Sequence, residues 1–290
     1  MSTLSASNDA PIGVFDSGVG GLPILKAIHR LLPNERLVYL ADTGYAPYGD
    51  KMPVEVVQRV LAIGDWFAAM GVKAMVVACN TASVLAIDVL RARCGVPIIG
   101  VEPAIKPAAL ASRTGVVGVL ATARTAASAS VARLVDAHGQ HNNVRMVVQA
   151  CPGLVDAIEG NAPRAGIKTM LQAWLQPMLD SGADHIVLGC THYIVVRDVI
   201  QDIVGPHVTL VEPSNAVARQ LQRKLHEGGV LRLATAAKYT QSTLPPRRSQ
   251  VDTHNPQMFS SADLPSDAAA LISHVWGEPV QVRSALRVVR

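Results

Sequence analysis

The 290-residue chain has little of several features that would place it in a specialised class. It contains only four cysteines, too few for a disulfide-stabilised scaffold, and we expect them to stay reduced as thiols. No apolar run approaches the roughly 20 residues that a membrane-spanning helix needs. Residues 1–9 lack the basic and apolar regions of an export signal, which predicts a cytoplasmic protein that does not enter a membrane.

Aromatic residues are also scarce, at 4% of the chain, and its positive charge is not concentrated in one place. The formal net charge is +4 and the pI is near 9.0, but the densest basic stretch is only 245–248. A nucleic-acid surface needs clustered cations, often with aromatic rings for stacking, so we expect no nucleic-acid partner. What the chain does have is 49% hydrophobic residues, enough for two domains with large buried sheets.

The most informative stretch of the chain is the apolar run 75–78, which ends at Cys79. Four small or apolar residues predict a buried parallel strand, and the polar residues of 80–83 lead to a helix predicted over 84–93. In open α/β sheets, ligands bind outside the carboxyl ends of the strands, where helix N-terminal N–H groups point into a crevice. The sequence therefore predicts a functional thiol at this junction.

The same pattern recurs later in the chain, where the apolar run 185–189 ends at Cys190. A Val-Glu-Pro tripeptide follows each thiol at nearly the same distance: Glu102 lies 23 residues after Cys79, and Glu212 lies 22 residues after Cys190. Matching landmarks in the same order argue for two copies of one α/β unit. We expect two similar α/β domains with parallel sheets, related by a pseudo-two-fold axis, with both thiols in the cleft between them.

A second strand end in the first copy carries an acid and a hydroxyl. Asp16 and Ser17 follow the predicted strand 12–15 and precede a glycine-rich turn at 18–21. A nucleotide-binding loop does not fit, because a dinucleotide fingerprint would put its third glycine at Pro23, and no Gly-Lys-Ser/Thr closes a phosphate loop. The turn is either a plain strand-to-helix connection or part of the site, and the position of Asp16 favours the site.

Two further segments contribute candidates. The polar loop 41–50 carries two tyrosines, a proline and two glycines, and loops at this edge of a sheet commonly close over sites. In the second copy, Thr122, Thr125 and Ser128 stand at a helix start. These hydroxyls either cap the helix or, with its N-terminus, bind a carboxylate, and the residues alone leave both possibilities open.

Metal and cofactor chemistry fit the chain poorly. A zinc site needs about four ligands, and Cys79, Cys190 and His192 supply three at most. A pyridoxal enzyme needs an activated lysine, and none follows a predicted strand. A Cys-His hydrolase built on Cys190 and His192 is possible, but it leaves Cys79 and the duplication unexplained. Cys94 and Cys151 have no matching context, and we expect them to be packing thiols.

Two thiols that face each other across a cleft suit the inversion of a carbon acid. One face of the carbon must lose a proton while the opposite face gains one, so a thiolate base and a thiol acid can exchange roles at each turnover. A thiol with an ordinary pKa near 8.5 needs help to act as a base. We expect Asp16 beside one cysteine, and Glu159 or His192 beside the other, to provide it.

Six motifs of the chain resemble those of the glutamate racemases, in the aspartate/glutamate racemase family, and they occur in the family's order: FDSGVGGL (15–22), APYGD (46–50), ACNTAS (78–83), GVEPAIKPA (100–108), ATARTAAS (121–128) and GCTHY (189–193). The resemblance implies a cofactor-independent and metal-free isomerase that interconverts L-glutamate and D-glutamate. It also implies a cytoplasmic homodimer that supplies D-glutamate for peptidoglycan synthesis.

The resemblance also implies roles for individual residues. Cys79 and Cys190 match the two bases, and Asp16, His192 and Glu159 match residues that assist proton transfer. The positions that hold the amino and carboxylate groups of the substrate correspond to Asp16, Ser17, Tyr48, Gly49, Asn80, Thr81, Thr191 and His192. Thr122 and Thr125 stand where the family binds the side-chain carboxylate.

The predicted domain organisation follows from the two copies. Residues 1–104, together with 218–290, form the first domain on the Cys79 side, and residues 105–217 form the second domain on the Cys190 side. Two other functions remain open at this point. One is aspartate racemase activity, which shares the two-cysteine design, and the other is a binding or regulatory role on a racemase-like fold.

Overall fold

The structure is a computed structural model that describes residues 7–139, 142–232 and 255–285. Its strands are β1 (Ile12–Asp16), β2 (Leu37–Ala41), β3 (Ala74–Val77), β4 (Ile98–Gly100), β5 (Val116–Ala121), β6 (Arg145–Ala150), β7 (His185–Leu188), β8 (Thr209–Val211), β9 (Gln257–Ser260) and β10 (Val282–Ser284). Its α-helices are α1 (Leu22–Leu31), α2 (Pro53–Ala69), α3 (Asn80–Arg93), α4 (Ile105–Ala111), α5 (Ala123–Ala126), α6 (Ala129–Gly139), α7 (Leu154–Glu159), α8 (Arg164–Asp180), α9 (Thr191–Val195), α10 (Arg197–Val204), α11 (Ser214–Glu227) and α12 (Pro265–Trp276).

The strands form two fully parallel sheets whose central parts have the same order. The first sheet runs β10-β9-β2-β1-β3-β4, and the second runs β6-β5-β7-β8. Thus β2-β1-β3-β4 and β6-β5-β7-β8 are two copies of one four-strand unit, and β9 and β10 extend the first. The predicted fold class is confirmed. The domain boundaries at 104/105 and 217/218 stay a prediction.

Helices cover both faces of each sheet, as parallel sheets require. In the first sheet, α1, α11 and α12 share one apolar core with the sheet, and α2 and α3 share another on the opposite face. In the second sheet, α7, α8 and α10 cover one face, while α4 and α6 cover the other. Every residue of β1, β2, β3 and β7 is buried, which explains their nearly continuous apolar sequences.

The helices α2 and α8 have 17 residues each. Within the ranges that the structure describes, no helix is long and apolar enough to cross a membrane. The loop predicted over 231–266 falls largely on 233–254, which lies outside the described residues, and the strand expected near Met258 is β9.

Both thiols stand at the junction between a strand and a helix. The helix after Cys79 begins at Asn80 rather than at the predicted residue 84, because Cys79 itself occupies the N-cap position and its Sγ accepts a hydrogen bond from the N–H of Ala82. Cys190 likewise occupies the N-cap position of α9, but its thiol makes no capping hydrogen bond. The first-turn N–H groups of both helices therefore lie next to the thiols.

Candidate active site

The carboxyl ends of the two sheets face one narrow cavity of about 30 Å³. Nine of the predicted site residues line it: Ser17, Tyr48, Gly49, Cys79, Asn80, Thr81, Thr122, Cys190 and His192. The other four, Asp16, Thr125, Glu159 and Thr191, lie directly behind this lining and bond to it or to one another. All thirteen predicted site residues are therefore brought together, although they come from both copies of the α/β unit.

The Cys79 thiol is buried and has polar neighbours. The thiol is 4% exposed, donates a hydrogen bond to Ser17 Oγ at 3.6 Å, and accepts one from the Ala82 N–H at 3.5 Å. Burial raises the pKa of Cys79 well above its ordinary value, and the negative charge of Asp16 raises it further. In the substrate-free protein this residue is therefore a thiol at neutral pH.

Cys190 faces a charged pair. His192 forms a hydrogen bond with Cys190, and its Nε2 lies 2.6 Å from Glu159 Oε1. Burial lowers the pKa of His192, but the bonds to Cys190 and Glu159 and the negative charges of Asp16 and Glu159 outweigh it, so the pKa is raised well above its ordinary value. His192 is thus an imidazolium at neutral pH, with a carboxylate on its far side.

Asp16 connects the two halves of the site. Its carboxyl is fully buried at the end of β1, where Oδ1 accepts from Thr191 Oγ1 at 3.2 Å and Oδ2 accepts from the Gly18 N–H at 3.2 Å. Oδ2 also lies 3.9 Å from Nδ1 of His192. Burial raises the pKa of Asp16, although the positive charge of His192 opposes the effect. One carboxyl thus acts on the Cys79 thiol and lies beside the histidine that bonds to Cys190.

A cluster of three threonine hydroxyls spans the cleft. Oγ1 of Thr81, from the first copy, lies 3.2 Å from Oγ1 of Thr122 and 3.4 Å from Oγ1 of Thr125, both from the second. Thr122 also caps α5, because its Oγ1 accepts from the Thr125 N–H. The two interpretations of this helix start are therefore compatible, since the capping hydroxyl still faces the cavity.

The side-chain amide of Asn80 is a candidate ligand-binding group. It is 1% exposed and lines the cavity, yet neither Oδ1 nor Nδ2 has a hydrogen-bond partner among the residues that the structure describes. Leaving a buried amide unpaired costs about 1–3 kcal/mol. This cost is removed when a bound molecule with both donor and acceptor groups completes the amide's hydrogen bonds.

Cys151 packs in the core of the second sheet, as expected, but it has a second position that the sequence did not indicate. It follows β6 and lines the cavity with Cys79 and Cys190. Burial raises its pKa to about 12, so it stays protonated at neutral pH. The carboxyl-end rule would have found it, because β6 is parallel to β5 and its end lies at the same edge of the sheet. Cys94 is partly buried in the core beside α2 and α3.

The glycine-rich turn after Asp16 is also explained. A Cβ atom on Gly18 would lie 1.8 Å from Glu159 Oε1, and one on Gly20 would lie 2.6 Å from the backbone nitrogen of His192. The Val19 N–H donates to Glu159 Oε1 at 2.8 Å. The glycines thus allow the second domain's His192 and Glu159 to approach this turn.

No group of three or more His, Cys, Asp or Glu side chains that could hold a metal ion occurs in the described parts of the chain. The polar side chains at the cavity are instead thiols, hydroxyls, an amide, the Asp50 carboxyl and one imidazolium–carboxylate pair. Such a set can bind an amino acid's charged groups and transfer protons.

The His192–Glu159 pair leads to a prediction about stability. We expect Glu159→Gln to lower the free energy of unfolding by roughly 3 kcal/mol at neutral pH, because the buried His192 would lose its hydrogen-bonded carboxylate and keep only the more distant one of Asp16, at 3.9 Å. Glutamine keeps an oxygen that can accept from the Val19 N–H, so the change removes mainly charge.

The pH dependence of this loss follows from both pKa shifts. Burial alone would raise the pKa of Glu159, but its bond to His192 outweighs burial and lowers the pKa below 4.5. The contribution of Glu159 to the free energy of unfolding is therefore complete above pH 4.5 and is lost as pH falls through the lowered pKa. The pKa of His192 is raised above 6.5, so its contribution is complete below 6.5 and is lost as pH rises through the raised value. Urea unfolding of both proteins across pH measures the difference, and a constant difference would contradict the ion pair.

Comparisons with known proteins agree on one family. The family model for Asp/Glu/hydantoin racemases matches residues 12–221, a range that includes both cavity thiols at the helix starts. A glutamate racemase of Pseudomonas syringae pv. tomato is 49% identical over 225 residues, which are 77% of this chain and 81% of that protein.

Two solved structures resemble both domains together. The glutamate racemase of Francisella tularensis, in complex with D-glutamate, superposes with a TM-score of 0.76 at 26% identity and covers 95% of this chain and 96% of its own. The Escherichia coli glutamate racemase, in complex with L-glutamate and the activator UDP-MurNAc-ala, gives a TM-score of 0.76 at 27% identity and covers 95% of this chain and 97% of its own.

Proposed function

This chain belongs to the Asp/Glu/hydantoin racemase family, and we propose that it interconverts L-glutamate and D-glutamate by proton transfer between two cysteines. The observation that carries the proposal is the placement of Cys79 and Cys190 at equivalent strand ends of two equivalent sheets, both on one cavity. Relatives solved with D-glutamate and with L-glutamate support glutamate as the substrate.

The reaction moves one proton off the α-carbon and another onto its opposite face. With D-glutamate bound, the Cys79 thiolate removes the α-proton while the Cys190 thiol donates its proton to the other face. With L-glutamate the two thiols exchange roles. Each turnover leaves the protonation states of the pair reversed, so the next substrate must be the opposite enantiomer, or the protons must redistribute first.

The substrate itself helps to create the thiolate. Burial and Asp16 keep Cys79 protonated in the free protein, and a positive charge beside the thiol would favour the thiolate. The α-ammonium group of glutamate supplies that charge when Asp16 and Ser17 hold it next to Cys79. On the other side, the imidazolium of His192 already lies beside Cys190 and supplies a positive charge there.

The two carboxylates bind at separate places. Asn80 offers an unpaired amide, and Thr81 and the Tyr48–Gly49 backbone line the cavity beside it, where the α-carboxylate would bind with Thr191 behind them. The side-chain carboxylate lies at the start of α5, where Thr122 and Thr125 offer hydroxyls. The distance between the two places selects the length of the amino acid.

Binding requires the cavity to open and close. A volume of about 30 Å³ holds roughly two water molecules, so glutamate cannot occupy the cavity unless its walls first move apart. A closed cleft excludes bulk water from the reacting carbon and strengthens the electrostatic interactions inside it.

The cellular setting belongs to the same proposal. The motifs support an enzyme of the cytoplasm that acts as a homodimer and delivers D-glutamate to peptidoglycan synthesis. The split of the chain into 1–104 with 218–290, and 105–217, places each thiol in its own domain. This split makes the active site an interface between domains.

The direct test is α-proton exchange in D2O. We expect the purified chain, treated with a chelator and given no cofactor, to incorporate deuterium at the α-carbon of either glutamate enantiomer and to abolish the circular dichroism of an L-glutamate solution. Turnover of L-aspartate under the same conditions should be much slower. Faster turnover of aspartate would assign the chain to aspartate racemisation, and loss of activity that only a metal restores would contradict the two-thiol mechanism.

A further inference from the structure

A buried ion pair lies next to the cavity and has no part in the proton transfers described above. Asp42 follows β2 and is fully buried, and Arg59 reaches it from α2 with Nε at 2.8 Å from Oδ2 and a terminal nitrogen at 2.6 Å from Oδ1. The backbone N–H of Asp42 donates to the carbonyl of Asp16 at 2.9 Å. The pair is therefore fixed to the strand end that carries the first catalytic carboxyl.

The third member of this group is the cavity residue Tyr48. Its hydroxyl donates to Asp42 Oδ2 at 2.5 Å, and its ring is 1% exposed. Burial raises the pKa of Tyr48 well above its ordinary value, and the charge of Asp42 raises it further, so the hydroxyl remains a donor at every physiological pH. Tyr48 is thereby held by a carboxylate that is itself held by two parallel bonds from one guanidinium.

The loop that carries Tyr48 is fastened at both of its ends by other contacts. Near its start, Thr43 Oγ1 lies 2.7 Å from Ser260 Oγ, and the Gly44 N–H donates to Ser261 Oγ. Near its end, Arg124 of the second domain donates to the carbonyl of Lys51 at 2.9 Å. Between these two ends, the hydrogen bond from the Tyr48 hydroxyl to Asp42 connects the cavity wall to the buried ion pair.

We infer that Asp42 and Arg59 are positioning residues that set the affinity for glutamate by fixing Tyr48, and with it the Tyr48–Gly49 backbone, against the substrate carboxylate. The inference rests on the proposed function. The contact between the Tyr48–Gly49 backbone and the substrate carboxylate exists before, during and after proton transfer. By fixing Tyr48, the ion pair therefore stabilises the bound substrate and the transition state alike. Its loss should therefore change KM and leave kcat nearly unchanged.

The test measures KM and kcat for both enantiomers in Tyr48→Phe, Arg59→Met and Arg59→Lys. We expect KM to rise roughly tenfold in Tyr48→Phe and Arg59→Met, with kcat within about twofold of the parent protein. Arg59→Lys should lie between, because an ammonium group cannot bind both carboxylate oxygens in parallel. The double variant Tyr48→Phe/Arg59→Met should have a KM close to that of either single variant, since both changes break the same chain of contacts from Arg59 through Asp42 to Tyr48.

The matched control is Arg93→Met. Arg93 makes a similar two-bonded pair with Asp65 between α3 and α2, but both side chains are 55% exposed and neither lines the cavity. We expect its KM and kcat to equal those of the parent protein. Thermal unfolding of all variants shows how much stability each has lost.

The outcomes separate the inference from the proposed function. A lower melting temperature with unchanged KM in Arg59→Met and Tyr48→Phe would mean that the pair only stabilises the fold, and the inference would be wrong. Multiplying effects in the double variant would mean that Arg59 acts independently of Tyr48, which also overturns it. A parent protein that does not racemise glutamate would refute the proposed function instead. Tyr48→Phe keeps the ion pair, so it tests the inference even if Arg59→Met fails to fold.

Discussion

Replacing either Cys79 or Cys190 by alanine should reduce racemisation of glutamate by roughly 10³-fold or more, because every inversion needs one thiol on each face of the α-carbon. The fold should change little, since alanine removes a single sulfur atom from a position on the cavity wall. Circular dichroism of glutamate solutions measures the loss, and thermal unfolding of both variants checks the fold.

The same two variants should differ in a half-reaction. A glutamate analogue with a leaving group on the β-carbon needs only deprotonation at the α-carbon, after which the electron pair expels the leaving group and forms a double bond. We expect Cys190→Ala to eliminate from the D-configured analogue, because Cys79 remains. Cys79→Ala should eliminate only from the L-configured analogue. If either variant processed both configurations equally well, one residue would be reaching both faces, and the two-base assignment would be wrong.

Gly20→Ala should reduce kcat/KM by about 100-fold, although it replaces no catalytic residue. The new Cβ would lie 2.6 Å from the backbone nitrogen of His192 and 2.4 Å from its Nδ1, distances that require α9 or the turn to move. Cys190 directly precedes α9, so the movement displaces a thiol together with its histidine. A displacement of about 1 Å in a catalytic group can cost a factor of this size.

A second glycine provides the control for this experiment. Gly166 lies within α8, and a Cβ atom there would have no neighbouring atom within 4 Å among the residues that the structure describes. Gly166→Ala should therefore keep full activity and raise stability by about 0.5–1 kcal/mol, since alanine favours the helix. Full activity in Gly20→Ala would show that the close approach of the two domains at this turn is not needed for catalysis.

The sequence by itself determined the fold class and the two thiols. Apolar runs such as 75–78 and 185–189 are local patterns, and they identify buried parallel strands because such strands are covered on both faces. The repeated order of landmarks around Cys79 and Cys190 identified the duplication, and the equal strand orders of the two sheets confirm it. A rule about strand ends then placed Asp16 near the first thiol, and the family resemblance added Thr122.

The packing of one domain on the other decided which residues of the two copies meet at the site. The Val19 N–H meets Glu159 across 140 residues of sequence, and the Thr191 hydroxyl meets Asp16 across 175. No local pattern encodes such contacts, because they depend on how two separately formed sheets fit together.

For the same reason, sequence reasoning did not identify the need for Gly20, the position of Cys151 in the cavity, or the Asp42–Arg59 support of Tyr48. Each of these is a property of space shared by distant segments. Only the tertiary structure brings those segments together.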